Sequence, residues 1–413
     1  MKATRYIEQY ALREIDKHRQ MLFIVGPRQS GKTTSVKQFL DKNKCGDLYF
    51  NWDTPQTRQF FRKDSVFFES IARGLKRKKI YIAFDELHKS THWKNKLKGY
   101  FDQFEHEFKF IVTGSARLDL LRKKGDSLSG RFLLYTLLPF SLSEFLNTDL
   151  KTLWLMTSGS KNNPLLSMYD LCQKNQEREA YDLLYTLSGF PEPLTKGEET
   201  FLHKWQNNYV DLIFSQDIRD LTNVSDLDNL LLLFELLPNK VGSPLSINSL
   251  REDLQVSHKT ISNWIKIFEK LYLTFSVDPY AKTIERSIKK EKKWYFYDWT
   301  RVKDNAAKFE NLVACMLLRA SLIWQQMGLF NTKLCYIRTI DKKEIDFLLL
   351  VNGEPFALFE AKLHNQEISN HLLETSKLLG NIPIFQILHE KNVFKKIHTG
   401  LIISADRFLS SIP

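Results

Sequence analysis

The chain has 413 residues, 60 Lys and Arg against 48 Asp and Glu, a formal net charge of +12 and a pI near 9.2. A hydrophobic fraction of 43% with 26% charged residues, and few Gly and Pro, excludes a disordered or collagen-like chain and fits roughly two to four folded domains. No apolar run approaches the ~20 residues that span a bilayer. Met1 to Arg19 is polar and lacks the apolar stretch of a signal peptide, so a cytoplasmic, membrane-free protein is expected. The basic excess permits a polyanionic partner, because phosphate neutralisation supplies most non-specific nucleic-acid affinity. Cys45, Cys172, Cys315 and Cys335 form no C-x-x-C pair and read as reduced thiols. His88 and His92 are four apart, but no third metal ligand accompanies them.

Over residues 1–148 apolar strands alternate with helix-length segments: "MLFIV", "DLYFNWD", "KIYIAFDE", "FKFIVTGS" and "RFLLYTLLPF". That alternation predicts βαβ units and a parallel sheet, an α/β fold. After the first strand, "GPRQSGKTT" spans Gly26, Pro27, Arg28, Gln29, Ser30, Gly31, Lys32, Thr33 and Thr34, and satisfies G-x-x-x-x-G-K-[ST]. Strand before and helix after are the context this ATP-binding loop needs. Its glycines turn backbone amides towards phosphates, and the helix N-terminus favours negative charge. Lys32 is expected to reach the β- and γ-phosphates, and the Thr33 hydroxyl to ligate Mg²⁺.

"IYIAFDELHK" ends a strand in Asp85 and Glu86, which places one carboxylate near Mg²⁺ and the next where it can orient and deprotonate water. "FKFIVTGSAR" ends in Thr113, Gly114 and Ser115, whose small hydroxyls can hold the attacking water. Arg131, just before the fifth strand, reads either as an arginine finger reaching a neighbouring subunit of a homo-oligomer or as a surface arginine.

From 149 to 242 the pattern turns helical, a lid or linker. Residues 243–302 read as helix-turn-helix followed by strands. Leu250, Leu254, Ile261, Trp264, Ile265 and Phe268 give the apolar spacing, and "QVSHKT" separates the helices. The second helix exposes His258, Lys259, Ser262, Asn263 and Lys266, groups suited to DNA phosphates or base edges. From Ala281 to Lys303, eight basic residues face three acids, which fits a wing meeting phosphate. A winged helix can equally be a packing module whose outer charges are only solvated.

The segment 303–413 contains "EIDFLLLVNGEPFALFEAK", in which Asn352-Gly353 between apolar runs predicts a hairpin. A plain two-residue loop pairs Asp346 with Phe359 and turns Glu360 to the opposite face. A three-residue loop beginning at Val351, or a β-bulge, returns Asp346, Glu360 and Lys362 to one face.

Taken together, "GPRQSGKTT", "LYFNWDTP", "DELHKSTHWKNKLK", "VTGSAR", "SGR", "LLPFSLSEFL", "GFPEP", "DIRDL", "SHKTISNWIKIFEKLYL" and "KKWYFYDW" resemble a bacterial and archaeal family. In that family a RecA/AAA-like ATPase domain precedes a winged helix and a restriction-endonuclease-like domain. His88 departs from the resemblance, which has Gln there. The resemblance implies ATP hydrolysis with Mg²⁺. The hairpin resembles the PD-(D/E)-x-K nucleases, with Ile345 in place of the proline. It implies Asp346 and Glu360 as Mg²⁺ ligands, Lys362 positioning water or stabilising charge, and Glu310 assisting from a preceding helix. The expected domains are therefore 1–148, 149–242, 243–302 and 303–413, in an ATPase that binds DNA and cleaves it. Two other readings stay open: a nucleotide-switched binding module whose last domain only recognises, and an oligomeric signalling ATPase.

Overall fold

The computed structural model describes residues 4–114, 128–155, 164–221, 226–281, 291–339, 343–364 and 367–413. Two compact units divide the chain, Thr4–Pro139 and Phe140–Pro413.

In the first unit, strands β1 (Met21–Val25), β2 (Tyr49–Asn51), β3 (Ile80–Asp85), β4 (Phe108–Thr113) and β5 (Phe132–Thr136) form one sheet of order β2-β3-β4-β1-β5. Every pairing is parallel. β1 and β3 are buried at every position, which is why they read as unbroken apolar runs: helices cover both faces of a parallel sheet. Aromatic side chains fill the space between β3 and helix α2 (Trp93–Phe104), with the Phe68 ring 4.9 Å from Tyr100 and 5.5 Å from Phe84. β1 lies between β4 and β5, so chain order reverses at its C-terminal end. Parallel sheets open a ligand crevice at such a point. There the chain turns into helix α1 (Lys32–Lys42).

The second unit opens with helical segments, among them α3 (Glu199–Leu212) and α4 (Leu227–Leu236). Helices α5 (Ile247–Leu254) and α6 (His258–Lys270) follow, with Ser246 and Ser257 capping their first turns. Leu250, Leu254, Ile261, Trp264, Ile265 and Phe268 are all buried, as their spacing predicts. A hairpin comes next, β6 (Thr274–Pro279) and β7 (Lys293–Phe296), then the long helix α7 (Asn305–Gln326). Strands β8 (Thr332–Arg338), β9 (Glu344–Val351), β10 (Glu354–Lys362), β11 (Ile384–Leu388), β12 (Phe394–Ile397) and β13 (Gly400–Ser404) complete a mixed sheet of order β12-β13-β11-β10-β9-β8-β6-β7.

The segments read from sequence as helical, winged-helix and C-terminal, from 149 onward, all fall within the second unit. β6 pairs parallel to β8 through Asp278 with Cys335 and Pro279 with Tyr336, so the helix-turn-helix hairpin extends the C-terminal sheet. α7 then packs along it with burial around most of its circumference. The four cysteines are buried free thiols. Among the described residues, no helix is long and apolar enough to cross a membrane.

Candidate functional sites

The phosphate-binding loop joins β1 to α1. Gly26 has φ +140°, and a Cβ there would lie 2.2 Å from the carbonyl oxygen of Leu137, so only glycine fits. Gly31, at φ +97°, delivers the chain into α1. Lys32, buried, donates to the carbonyls of Gly26 at 3.0 Å and Pro27 at 2.5 Å. The loop is braced from behind by Arg5, which donates to the carbonyl of Ser30 at 2.7 Å and to that of Leu138. Pro27 and Ser30 are buried, Arg28 half-buried, and Gln29 and Thr34 exposed.

Asp85, at the end of β3, receives three hydroxyls. Thr33 Oγ1 donates to its Oδ2 at 2.8 Å, Thr113 Oγ1 to its Oδ1 at 2.5 Å, and the Tyr49 hydroxyl to Oδ2. An oxygen-only set of hydroxyl and carboxylate beside a phosphate loop fits Mg²⁺. Thr113, expected to hold water, is 1% exposed and donates its hydroxyl to Asp85. Ser115 lies outside the described residues.

Glu86 follows in a left-handed conformation, φ +57°, with its amide donating to the carbonyl of Thr113. Burial pushes its carboxyl above the usual glutamate range; Lys89 opposes this and Asp85 adds to it. His88 is buried with Nε2 3.5 Å from Glu86 Oε2. Arg131 makes a two-pronged contact with Asp102 of its own chain, at 2.8 and 3.2 Å. The finger role expected of it requires that pair to open.

In the second unit the hairpin follows the bulge alternative. Asn352 and Gly353 both have positive φ, +52° and +90°, and form a two-residue loop between Val351 and Glu354. Register then shifts between Pro355 and Ala357, so that Leu349 faces Ala357 and Phe347 faces Phe359. Carried one step further, that register sets Asp346 opposite Glu360, on the same face. The Ala361 amide donates to Asp346 Oδ2 at 2.9 Å, and Lys362 Nζ sits 2.9 Å from Glu360 Oε1.

Glu310 reaches this face from α7. The Asn311 side chain clamps the backbone of Phe296 with two hydrogen bonds of 2.9 and 2.7 Å, and so fixes α7 against β7. Glu310 Oε1 accepts from the Tyr295 hydroxyl at 2.7 Å and lies 3.3 Å from Lys293 Nζ. Burial, then the Asp346 charge, push Glu310 well above the usual carboxylate range, and the same two causes raise Glu360. For Lys293 burial disfavours the charge, but Glu310, Asp346 and Glu344 outweigh it and raise the ammonium to about 12.

Sequence reasoning assembled Glu310, Asp346, Glu360 and Lys362, and the fold brings all four to one place. It missed Lys293 and Tyr295, hidden in a basic run read as a wing meeting phosphate, and Gln386, buried on β11 in register with Glu360. Glu344 was legible: two residues before Asp346 on a strand, it must share its face. Nothing in sequence flagged Tyr49.

Helix α6 turns the residues expected to meet DNA outward, and His258, Lys259, Asn263 and Lys266 are exposed. His258, Ser262 and Lys266 line a cleft of about 430 Å³ whose opposite wall carries Lys292 and Trp294 from the β7 side. Of the basic run, 282–290 lie outside the described residues. β7 therefore has two aspects: Trp294 lines this cleft, while Lys293 and Tyr295 reach the acidic cluster.

Residues 18–146 match the family profile described as "AAA domain", and 178–300 match a domain of unknown function, DUF8612. The first unit is thus an AAA-type P-loop domain. An uncharacterized protein of Methanocaldococcus jannaschii is 25% identical over 394 residues, covering 91% of this chain and 83% of the relative. An uncharacterized protein of Haemophilus influenzae is 24% identical over 399 residues, covering 91% and 87%. Among solved structures, the Aeropyrum pernix ORC1 protein in complex with DNA aligns at a TM-score of 0.32 with 15% identity, over 77% of this chain and 94% of that one. The replication initiator DnaA bound to AMPPCP and single-stranded DNA aligns at 0.32 with 15% identity, over 64% and 86%.

Proposed function

We propose that the first unit hydrolyses ATP with Mg²⁺ and that the second acts on DNA, cleaving phosphodiesters at the Asp346–Glu360 face. The observation that carries the first part is the set of three hydroxyls on Asp85 beside the phosphate loop. Lys32 leaves its loop carbonyls to meet the β- and γ-phosphates, and the amides at the α1 N-terminus cradle them. Thr33 and Asp85 hold the metal ion, which when bound neutralises charge on the phosphate oxygens. Glu86 orients the attacking water and accepts its proton; its raised pKa brings it closer to the optimum for a general base near neutral pH. Phosphate release by the native chain, compared with Lys32→Ala and Glu86→Gln, tests this part. Hydrolysis by either variant at the native rate would contradict it.

For the second part, the bulge that sets Asp346 against Glu360 is the supporting observation. The all-oxygen pair of Asp346 and Glu360 fits a water-rich ion such as Mg²⁺. Such an ion, when bound, supplies Lewis acidity at the scissile phosphate. Lys362 holds Glu360 in place and offers a positive charge at the rim. His258, Lys259, Ser262, Asn263 and Lys266 contact DNA, with Trp294 offering a stacking face within the cleft. Cleavage of supercoiled and single-stranded DNA with Mg²⁺ or Mn²⁺, for the native chain and Glu360→Ala, tests it. A nucleotide-switched module that binds DNA without cutting is the reading left if ATP is hydrolysed and DNA bound but never cut.

A further inference from the structure

Lys293 is 1% exposed. Its ammonium lies 3.2 Å from Glu344 Oε2, 3.3 Å from Glu310 Oε1 and 3.8 Å from Asp346 Oδ1. The backbone pins it: Lys293 pairs with Val277 on β6 and bridges to Pro244 on its other side. Four carboxylates, from Glu310, Glu344, Asp346 and Glu360, here meet three cations, Lys293, Lys362 and Arg338. Lys362 and Arg338 sit at the rim, with side chains 44% and 33% exposed, where water screens them. Lys293 alone is interior. Without it, Glu310, Glu344 and Asp346 would share one poorly solvated pocket of like charge, which must take up protons or another cation.

We infer that Lys293 is a built-in cation occupying the position a second divalent ion would otherwise take, so that this cluster binds a single divalent ion, on the Asp346–Glu360 side. The inference rests on the proposed metal role of Asp346 and Glu360. Three of the four carboxylates already have this ammonium within 4 Å, which leaves Glu360, paired with Lys362 at the rim, to complete a site with Asp346. A tethered ammonium neither exchanges with solvent nor needs dehydration. It fixes the carboxylates before an ion or a phosphodiester arrives. Its charge also offsets the repulsion that a phosphodiester would meet from four acids. Lys293 is thus a positioning residue.

The test uses the full chain without nucleotide, titrated with Mn²⁺ or Ca²⁺ by calorimetry and followed by thermal unfolding. The native chain is expected to take one ion at this cluster, and Asp346→Asn to lose it. Lys293→Met should lower Tm by on the order of 10 °C, the consequence of stranding partly buried carboxylates. It should also take up a second ion and regain more Tm from that ion than the native chain does. Adding Glu344→Gln to Lys293→Met removes one stranded charge and should recover Tm without any ion, which a mere packing role of the lysine stem would not produce. Lys293→Arg should behave as native. If Lys293→Met binds no more ion than the native chain, and Glu344→Gln recovers nothing, the inference is overturned. Should Lys293→Met fail to fold, the double variant decides: a recovered fold supports the counter-charge, continued failure overturns it. A native chain that binds no ion, indistinguishable from Asp346→Asn, defeats the metal reading alone. In that case an ion gained by Lys293→Met still supports the lysine's role, and none gained overturns it.

Discussion

Among the described residues two lysines are buried, Lys32 and Lys293, and the two sites they serve are built on opposite principles. In the first unit the carboxylate proposed to hold metal, Asp85, is approached by hydroxyls, and the lysine rests on neutral carbonyls. In the proposed role those carbonyls give way to phosphate. In the second unit every carboxylate of the cluster has an ammonium, guanidinium or amide against it. Neutral donors orient a group without satisfying its charge, so the first site waits for a strongly charged ligand. Fixed cations satisfy charge in advance, so under the proposal the second site needs only one further ion. This contrast suits a nucleotide that carries its own metal in one case and a long polyanion in the other.

The comparison breaks most visibly if the two sites fail to separate. Lys32→Ala or Glu86→Gln should cut ATP turnover by about 10²–10⁴-fold, the range for losing a positioned general base or its partner charge. Phosphate release measures it, and ATP-independent DNA cutting should persist in both. Conversely, Glu360→Ala should reduce DNA cleavage by at least about 10²-fold while ATP hydrolysis stays native. A gel assay of supercoiled plasmid alongside phosphate release separates the two.

Smaller effects sharpen the contrast. Lys266→Ala should weaken DNA binding uniformly across sequences and lower the salt slope by about one unit, as loss of one phosphate contact does. Fluorescence anisotropy at several salt concentrations reads that slope. The pH profile carries a sign. A glutamate raised by burial loses its basic form at higher pH than an exposed one, so the acid limb of ATP turnover should lie above the ordinary ~4.3. Below that limb turnover falls because Glu86 is protonated, and in Glu86→Gln the limb should vanish. Least of all, Tyr49→Phe removes one of three hydroxyls from Asp85 and should cost about 1 kcal/mol of its positioning, a several-fold loss in ATP turnover.

Much of the first unit was legible because its chemistry is local. Strand, glycine loop and helix are contiguous, and Asp85 and Glu86 close an apolar run, so spacing alone located them. What spacing missed were groups that arrive sideways: Tyr49 from an edge strand three residues long, and Arg5, which braces the loop across 25 residues. The bond from Thr113 to Asp85 was not legible either, since sequence shows a hydroxyl at a strand end and not where it points. In the second unit Asn352-Gly353 announced the hairpin. The shift between Pro355 and Ala357 that aligns Asp346 with Glu360 is a register choice that sequence left as one of three options. Lys293 was illegible for a different reason. A lysine among lysines reads as solvated, and only the antiparallel pairing of β6 with β7 turns this one inward.

The most direct trial of the account is DNA cleavage by the native chain, Glu360→Ala and Glu86→Gln, prepared identically, with Mg²⁺ or Mn²⁺ and with or without ATP. The account predicts cutting by the native chain and by Glu86→Gln in the absence of ATP, and none by Glu360→Ala. No cutting by any of them, with ATP hydrolysis and DNA binding intact, would contradict it and reduce the Asp346–Glu360 face to a scaffold.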